Sequence, residues 1–403
     1  MTRETFRTRV LLNKVVAATV AVQIVIVMAS LTVPVLASLI APAIGVPAYL
    51  VGYYSGLIYL LAVLSSFATP RLVRRWGGIR LHQFMLVMTA AALLALLPAL
   101  PAGFVLSGIV LGAAYGPMNP ASTVLLARYT PSHLRSRVFS LKQTAVPVGG
   151  ALAGLATPLV AATLGWRGAI AAIAAICLVL SVVIQPWRDE IDRDEAEAAP
   201  RVASAYWLPV RLLVDNAGLR SVTLASFAFG SVQFSFTAVF PTMLAHVGWT
   251  TTEAGRAMSI ALVVGVAFRG ILGTVADKVG SRPVLGAMGV MMAAAAFGAA
   301  FVGAAWPGWA VALIAALFGL SAFCWAGIGI AEAVRQVPPH LVAEASAGII
   351  GFTFFGALAG PTLFSAVTGL TGGAAPAFIV LAVLSAAGGV LMLRPMPQPV
   401  TAE

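Results

Sequence analysis

Two ionisable side chains, Lys142 and Arg269, sit inside long apolar stretches of this 403-residue chain, and a third, Glu332, sits at the end of one. A charge withdrawn from water is costly unless it is paired or used, so each is a candidate for function. Arg269 precedes Gly273 by four residues and Asp277 by eight. That spacing puts the three on one helix face, with Arg269 about 12 Å along the axis from Asp277. A cation there would attract an anionic ligand or pair with another helix end. Lys142 lies near one end of its stretch, where it can meet a ligand or extend its ammonium to the aqueous boundary. Glu332, one turn before Arg335, is a candidate proton or ion-pair site. Gln23, Asn119, Gln143 and Gln233 are neutral hydrogen-bonders inside apolar stretches. They complete the candidate substrate-binding set, although such groups also join helices to one another.

The absent groups narrow the chemistry. The first six apolar stretches contain no internal Asp or Glu, and His82, His133, His246 and His340 fall at stretch ends. Proton relays use buried carboxylates or histidines, and a cationic ligand would want a buried carboxylate as counter-charge. Arg269 and Lys142 set against Glu332 therefore favour an anionic or neutral solute. Cys177 and Cys324 sit in apolar stretches, where cysteine behaves as a small hydrophobe, so no disulfide framework and no metal site are expected. Nothing resembles a nucleophile beside a base and an orienting group. The chain reads as a non-enzyme with no catalytic residue and no cofactor.

The elements that must hold these residues are membrane helices. The chain is 60% hydrophobic and 9% charged, with a mean hydropathy of +0.99, whereas soluble domains carry about 25% charged residues. A span takes about 20 apolar residues. Such runs fall at 15–41, 47–70, 81–98, 102–127, 138–163 and 168–186, then at 219–245, 254–276, 283–303, 308–331, 345–369 and 374–393. This predicts an all-α membrane protein with twelve transmembrane helices in two six-helix bundles, 1–187 and 219–403. Residues 188–218 would form a cytoplasmic linker, and its acidic run from Arg188 to Glu197 reads as solvated and flexible. The first run is too long for the apolar core of a cleaved signal and is expected to stay as a span.

Placing both termini and the even-numbered loops on one side gathers there every Lys and Arg except Arg167 and Arg256. By the positive-inside rule that side is cytoplasmic. The net charge of +11 thus belongs to membrane orientation and not to nucleic-acid binding. Arginine far outnumbers lysine and alanine is abundant, a composition that points to a bacterium and its inner (plasma) membrane.

The halves repeat. Gly45 and Gly52 recur as Gly248 and Gly255, Gly77 as Gly280, and Pro34 as Pro241. Pro131-Ser-His-Leu134 recurs as Pro338-Pro-His-Leu341, and Gly150-Ala-Leu-Ala-Gly154 as Gly356-Ala-Leu-Ala-Gly360. All lie within four residues of one offset. Duplicated helical bundles can rock about a site between them and expose it to each side in turn.

The loop between the eighth and ninth spans reads Gly273-Thr-Val-Ala-Asp277-Lys278-Val-Gly280-Ser-Arg282. Gly280 permits the sharp turn, Gly273 allows close helix approach, and Asp277 can pair with a base or helix end nearby. Together with twelve spans, duplicated halves and a charged central linker, this motif resembles the signature loop of the major facilitator superfamily. The resemblance implies a monomeric secondary transporter of a small-molecule substrate in the lipid bilayer, with a proton among the candidate coupling ions and these five residues as a gating motif. In the first copy the glycine position is Pro70 and the acidic one Arg74, so a carboxylate latch is expected in the second copy only. Lys142-Gln143 and Tyr115-Gly-Pro-Met-Asn-Pro120 loosely resemble segments of the cyanate and nitroimidazole type of small-anion permease. The fifth span lacks the Gly-Pro pair of proton-coupled drug antiporters, which leaves efflux of amphipathic drugs as the competing transport reading. A non-transporting membrane receptor is the alternative of another class.

Overall fold

The computed structural model describes residues 3–45, 50–198 and 205–394, and every regular element among them is helical. Residues 199–204 of the expected linker lie outside the described residues. Ten stretches are long and apolar enough to cross a membrane. One of them, 132–183, comprises two spans, because Gly165 at φ 72° and ψ 169° interrupts the helix Ala145–Val183. The shorter apolar helix Gly78–Leu94 supplies another, which makes the expected twelve. Leu155, Leu159 and Leu370 are exposed on these helices, a placement suited to lipid and not to water.

The chain divides into two compact units. Unit 1 comprises Met1–Thr130, Lys142–Pro209 and His340–Gly351; unit 2 comprises Pro131–Leu141, Val210–Pro339 and Phe352–Glu403. Each unit therefore includes a short segment from the other half of the sequence.

Lipid tails are as apolar as leucine, so helices in a membrane associate through close packing of small residues. In unit 1 a Cβ on Gly112 would lie 2.7 Å from the carbonyl oxygen of Ile58, and Gly116 lies against Ala62. In unit 2 Gly319 lies against the carbonyl of Ala261, repeating the first contact 207 and 203 residues further along the chain. The second contact recurs with its glycine moved to the opposite helix, as Gly265 against Phe323. The repeat preserves the approach of two helices, not the residue that permits it.

Three spans are interrupted near candidate residues. The fourth pauses between the helices Pro101–Tyr115 and Met118–Tyr129, and the tenth between Gly308–Ala322 and Trp325–Arg335. In the fifth, Arg135–Lys142 gives way to Ala145–Val183 at Gln143 and Thr144. Pro147 has no N–H to offer the Gln143 carbonyl four residues back, and Pro117 likewise has none to offer the Ala113 carbonyl of the fourth span.

The linker begins in order. In unit 1 the helix Gln185–Ala198 is tied by Glu190, which accepts from Lys14 Nζ at 2.6 Å. Asp192 accepts from the backbone N–H of Ile79 at 2.8 Å and of Arg80 at 3.1 Å. It thereby caps the helix Gly78–Leu94, whose own preceding residue, Gly77, has no side chain to do so.

Candidate functional site

In unit 1 four of the candidate residues form one buried cluster. Gln23 Nε2 donates to Asn119 Oδ1 at 3.2 Å and to Gln143 Oε1 at 3.0 Å. Lys142 Nζ donates to the same Asn119 Oδ1 at 2.7 Å. The first, fourth and fifth spans thus meet through side chains, two of them at their interruptions. All four residues are at most 6% exposed. Gln23 Oε1 is buried and accepts no hydrogen bond among the described residues, while Lys142 uses one of its three donors on Asn119. The cluster therefore offers a cation with free donors beside a carbonyl that lacks a donor.

The repeat does not copy this chemistry. The positions 207 residues after Gln23, Asn119, Lys142 and Gln143 are Gly230, Ala326, Ile349 and Ile350. In unit 2, Gln233 Oε1 accepts from Trp325 Nε1 at 3.0 Å, and Trp325 meets Phe229 edge-on with ring centroids 5.7 Å apart. Arg269 is buried and donates from Nη2 to the Phe323 carbonyl, at the interruption of the tenth span. Glu332 is buried, and its Oε1 accepts from Gln336 Nε2 at 2.8 Å, while Arg335 turns to Asp277.

The loop motif in unit 2 is fully accounted for by geometry. Asp277 Oδ1 accepts from Ser136 N at 3.0 Å and Oδ2 from Arg137 N at 2.9 Å. These are the first free N–H groups of the helix Arg135–Lys142, so the carboxylate sits on a positive helix end. Arg335 Nη2 adds a salt bridge to Asp277 Oδ1 at 3.0 Å. Gly273 is required because a Cβ there would lie 2.8 Å from the Ser136 carbonyl oxygen. Gly280 adopts φ 99°, a value side chains rarely accept. Arg282 Nη2 donates to the Leu391 carbonyl at 3.2 Å, and Lys278 is exposed on the last turn of its helix. A cleft of about 480 Å³ opens beside this arrangement, bordered by His133, Asp277, Arg282, Glu332 and Arg335.

Sequence reasoning missed three groups. In unit 1, Arg74 forms an ion pair with Glu344, so the first copy of the loop is tied as well, with its charges reversed. His82, placed at a span end by sequence, is fully buried. Its Nδ1 meets the Gly78 carbonyl at 2.7 Å and its Nε2 the Ser122 hydroxyl at 3.1 Å. Asp192 was hidden inside a run of charges. The Arg74–Glu344 pair had a usable signal: Arg74 stands 203 residues before Asp277 and Glu344 stands 207 after Arg137, the two offsets of the repeat.

Residues 18–350 match the family model described as Major Facilitator Superfamily. The chain belongs to this superfamily. It is similar to an uncharacterized MFS-type transporter of Mycobacterium tuberculosis, 29% identical over 42% of this chain and 37% of that protein. It is also similar to the hexuronate transporter of Bacillus subtilis, 24% identical over 39% of this chain and 37% of that protein. The alignments thus span 37% of the length of these curated relatives. Among solved structures, the proton:xylose symporter XylE gives a TM-score of 0.75 at 15% identity, with 96% of each chain covered. The human organic anion transporter MFSD10 gives 0.72 at 15% identity, covering 94% of this chain and 99% of that one. At such identities these likenesses establish the fold alone: the superfamily chain is a membrane-spanning, all-α protein.

Proposed function

We propose that this superfamily member is a secondary active transporter that moves a small organic anion by alternating access of its two six-helix halves, 1–187 and 219–403. The observation that carries the reading is the buried Lys142 ammonium held by Asn119 beside the donor-less Gln23 Oε1. A solute with an anionic group for Lys142 and a hydroxyl or N–H for Gln23 Oε1 satisfies both. An anion with no donor leaves a buried carbonyl unpaired, which costs about 1–3 kcal/mol. Two similar proteins, a hexuronate transporter and an organic anion transporter, agree with this class. The loose resemblance of the segment around Lys142 to small-anion permeases points the same way.

In this reading Arg269 and Gln233 of unit 2 brace the tenth span, and Asp277, Arg335 and the five-residue loop motif form a gate. The half-joining linker and both termini are cytoplasmic, in a bacterial inner membrane, and the chain works as a monomer. Uptake into proteoliposomes, with labelled carboxylates compared in pairs that differ by one hydroxyl and with an imposed pH gradient, tests it. Uptake of hydroxylated anions, lost in Lys142→Gln, is the expected result. Tight binding of lipophilic cations with no anion transported would instead support proton-coupled drug efflux, for which the buried Glu332 carboxylate is the available group.

A further inference from the structure

We infer that Arg74 and Glu344 form a second clasp, the charge-reversed counterpart of the one at Asp277, which holds the segment His340–Gly351 in unit 1 until it is released. The clasp itself stands on geometry alone; its part in a transport cycle rests on the alternating-access reading.

The reversal has a physical cause. In both units the segment that comes from the other sequence half begins a helix just after a Pro-x-His-Leu turn. The positive end of each helix calls for a carboxylate. For the helix beginning at Arg135, that carboxylate comes from outside, from Asp277 on the last turn of Thr251–Val279. For Val342–Thr371, the helix supplies its own, Glu344, in its first turn. A second carboxylate on the facing helix would repel it. The equivalent position therefore carries a cation, Arg74, on the last turn of Leu50–Trp76.

Arg74 is also set apart from its neighbours. Arg71, Arg75 and Arg80 are exposed and are sufficient to orient a membrane protein, whereas Arg74 is turned onto a carboxylate only 1% exposed. Glu344 Oε2 accepts no hydrogen bond among the described residues, so this buried charge depends on Arg74. Further along the segment, a Cβ on Gly351 would lie 2.8 Å from Ser66 Oγ and 2.6 Å from the Phe67 ring. The segment thus covers Ser66, which is fully buried two turns from Arg74.

Labelling of Ser66→Cys by a maleimide reads the docking of this segment without any substrate. The full chain in membrane vesicles is used, and protein without the substitution, in which Cys177 and Cys324 are both buried, gives the blank. Arg74→Glu and Glu344→Arg, each alone, are expected to speed labelling at least about tenfold, since breaking a largely buried pair strands a charge. The double exchange, which restores opposite charges, is expected to return within about threefold of the parent, and Arg75→Glu to leave the rate unchanged. Hydrogen exchange of residues 342–350 in chains that retain Ser66 should rank the variants identically, which guards against disturbance by the cysteine. Single variants no faster than the parent, or a double variant as fast as the singles, overturns the clasp. The expected labelling pattern in a chain that transports no anion would sustain the clasp and strike the transport reading instead.

Discussion

Lys142 Nζ and Gln23 Nε2 converge on a single acceptor, Asn119 Oδ1, at 2.7 and 3.2 Å. An acceptor shared by an ammonium and an amide fixes the ammonium without neutralising it, so the positive charge is positioned and still available. The Asn119 carbonyl can do this because the fourth span pauses just before it, and Lys142 closes the short helix that precedes the pause in the fifth.

The first prediction concerns that charge. Lys142→Gln keeps a donor for Asn119 and removes the cation, so anion affinity should fall by roughly 10- to 100-fold, the range for losing one charged hydrogen bond. Gln23→Leu should spare simple carboxylates and weaken hydroxylated ones, narrowing the preference between members of a matched pair. Concentration dependence of uptake in proteoliposomes checks both. Equal losses for both members of each pair in Gln23→Leu would remove Gln23 from recognition.

The second prediction concerns helix approach. Gly319 lies against the Ala261 carbonyl, whereas Gly255 has open space around its Cα. Gly319→Ala should destabilise by about 1–3 kcal/mol through overpacking, and Gly255→Ala should be neutral or slightly stabilising, because it improves helix propensity. Thermal unfolding in detergent reads both. A neutral Gly319→Ala would mean that the two helices separate at little cost.

Most of the fold was legible because its signals are local: apolar runs of span length, basic loops, and glycines and prolines repeated at one offset. The loop motif was legible for the same reason, since Gly273, Asp277 and Gly280 each do what their residue type dictates. The site was only half legible. Gln23, Asn119, Lys142 and Gln143 could each be picked out as polar in an apolar run, but their convergence depends on how three spans pack. The Arg74–Glu344 pair spans 270 residues, and a residue-type rule that sought a missing carboxylate in the first loop looked on the wrong helix. Asp192 shows the limit of composition: a run rich in charge reads as solvated, yet one of its carboxylates is directed onto a helix end by the structure around it.

The third prediction separates two roles for Arg269. Its guanidinium serves the Phe323 carbonyl where the tenth span is interrupted, and carbonyls at a helix break need such donors. Arg269→Gln should therefore lower thermal stability, by about 1–3 kcal/mol for a buried acceptor deprived of its donor, and leave the uptake KM within about twofold. Unchanged stability with a tenfold rise in KM would instead make Arg269 a ligand for the solute.

The fourth prediction is a pH dependence at Asp192. Burial raises its carboxyl above the usual 3.8, outweighing the opposing pull of the Ile79 and Arg80 N–H groups and of the Arg188 and Arg80 charges. A group with a raised folded pKa holds its proton more tightly in the folded state. As pH climbs from the ordinary carboxylate value through the raised one, the unfolded state releases its proton first, and stability drains from the folded form. Asp192→Asn has no such proton to lose, so the parent's melting temperature relative to this variant should be highest at the acidic end and decline towards neutrality. The opposite trend would mean that the two N–H bonds to a helix N-terminus stabilise the carboxylate by more than burial disfavours it, as they do at solvent-exposed caps. Either trend fixes whether the start of the linker is docked by a charge or by a hydrogen bond, and only a charged dock would weaken with added salt.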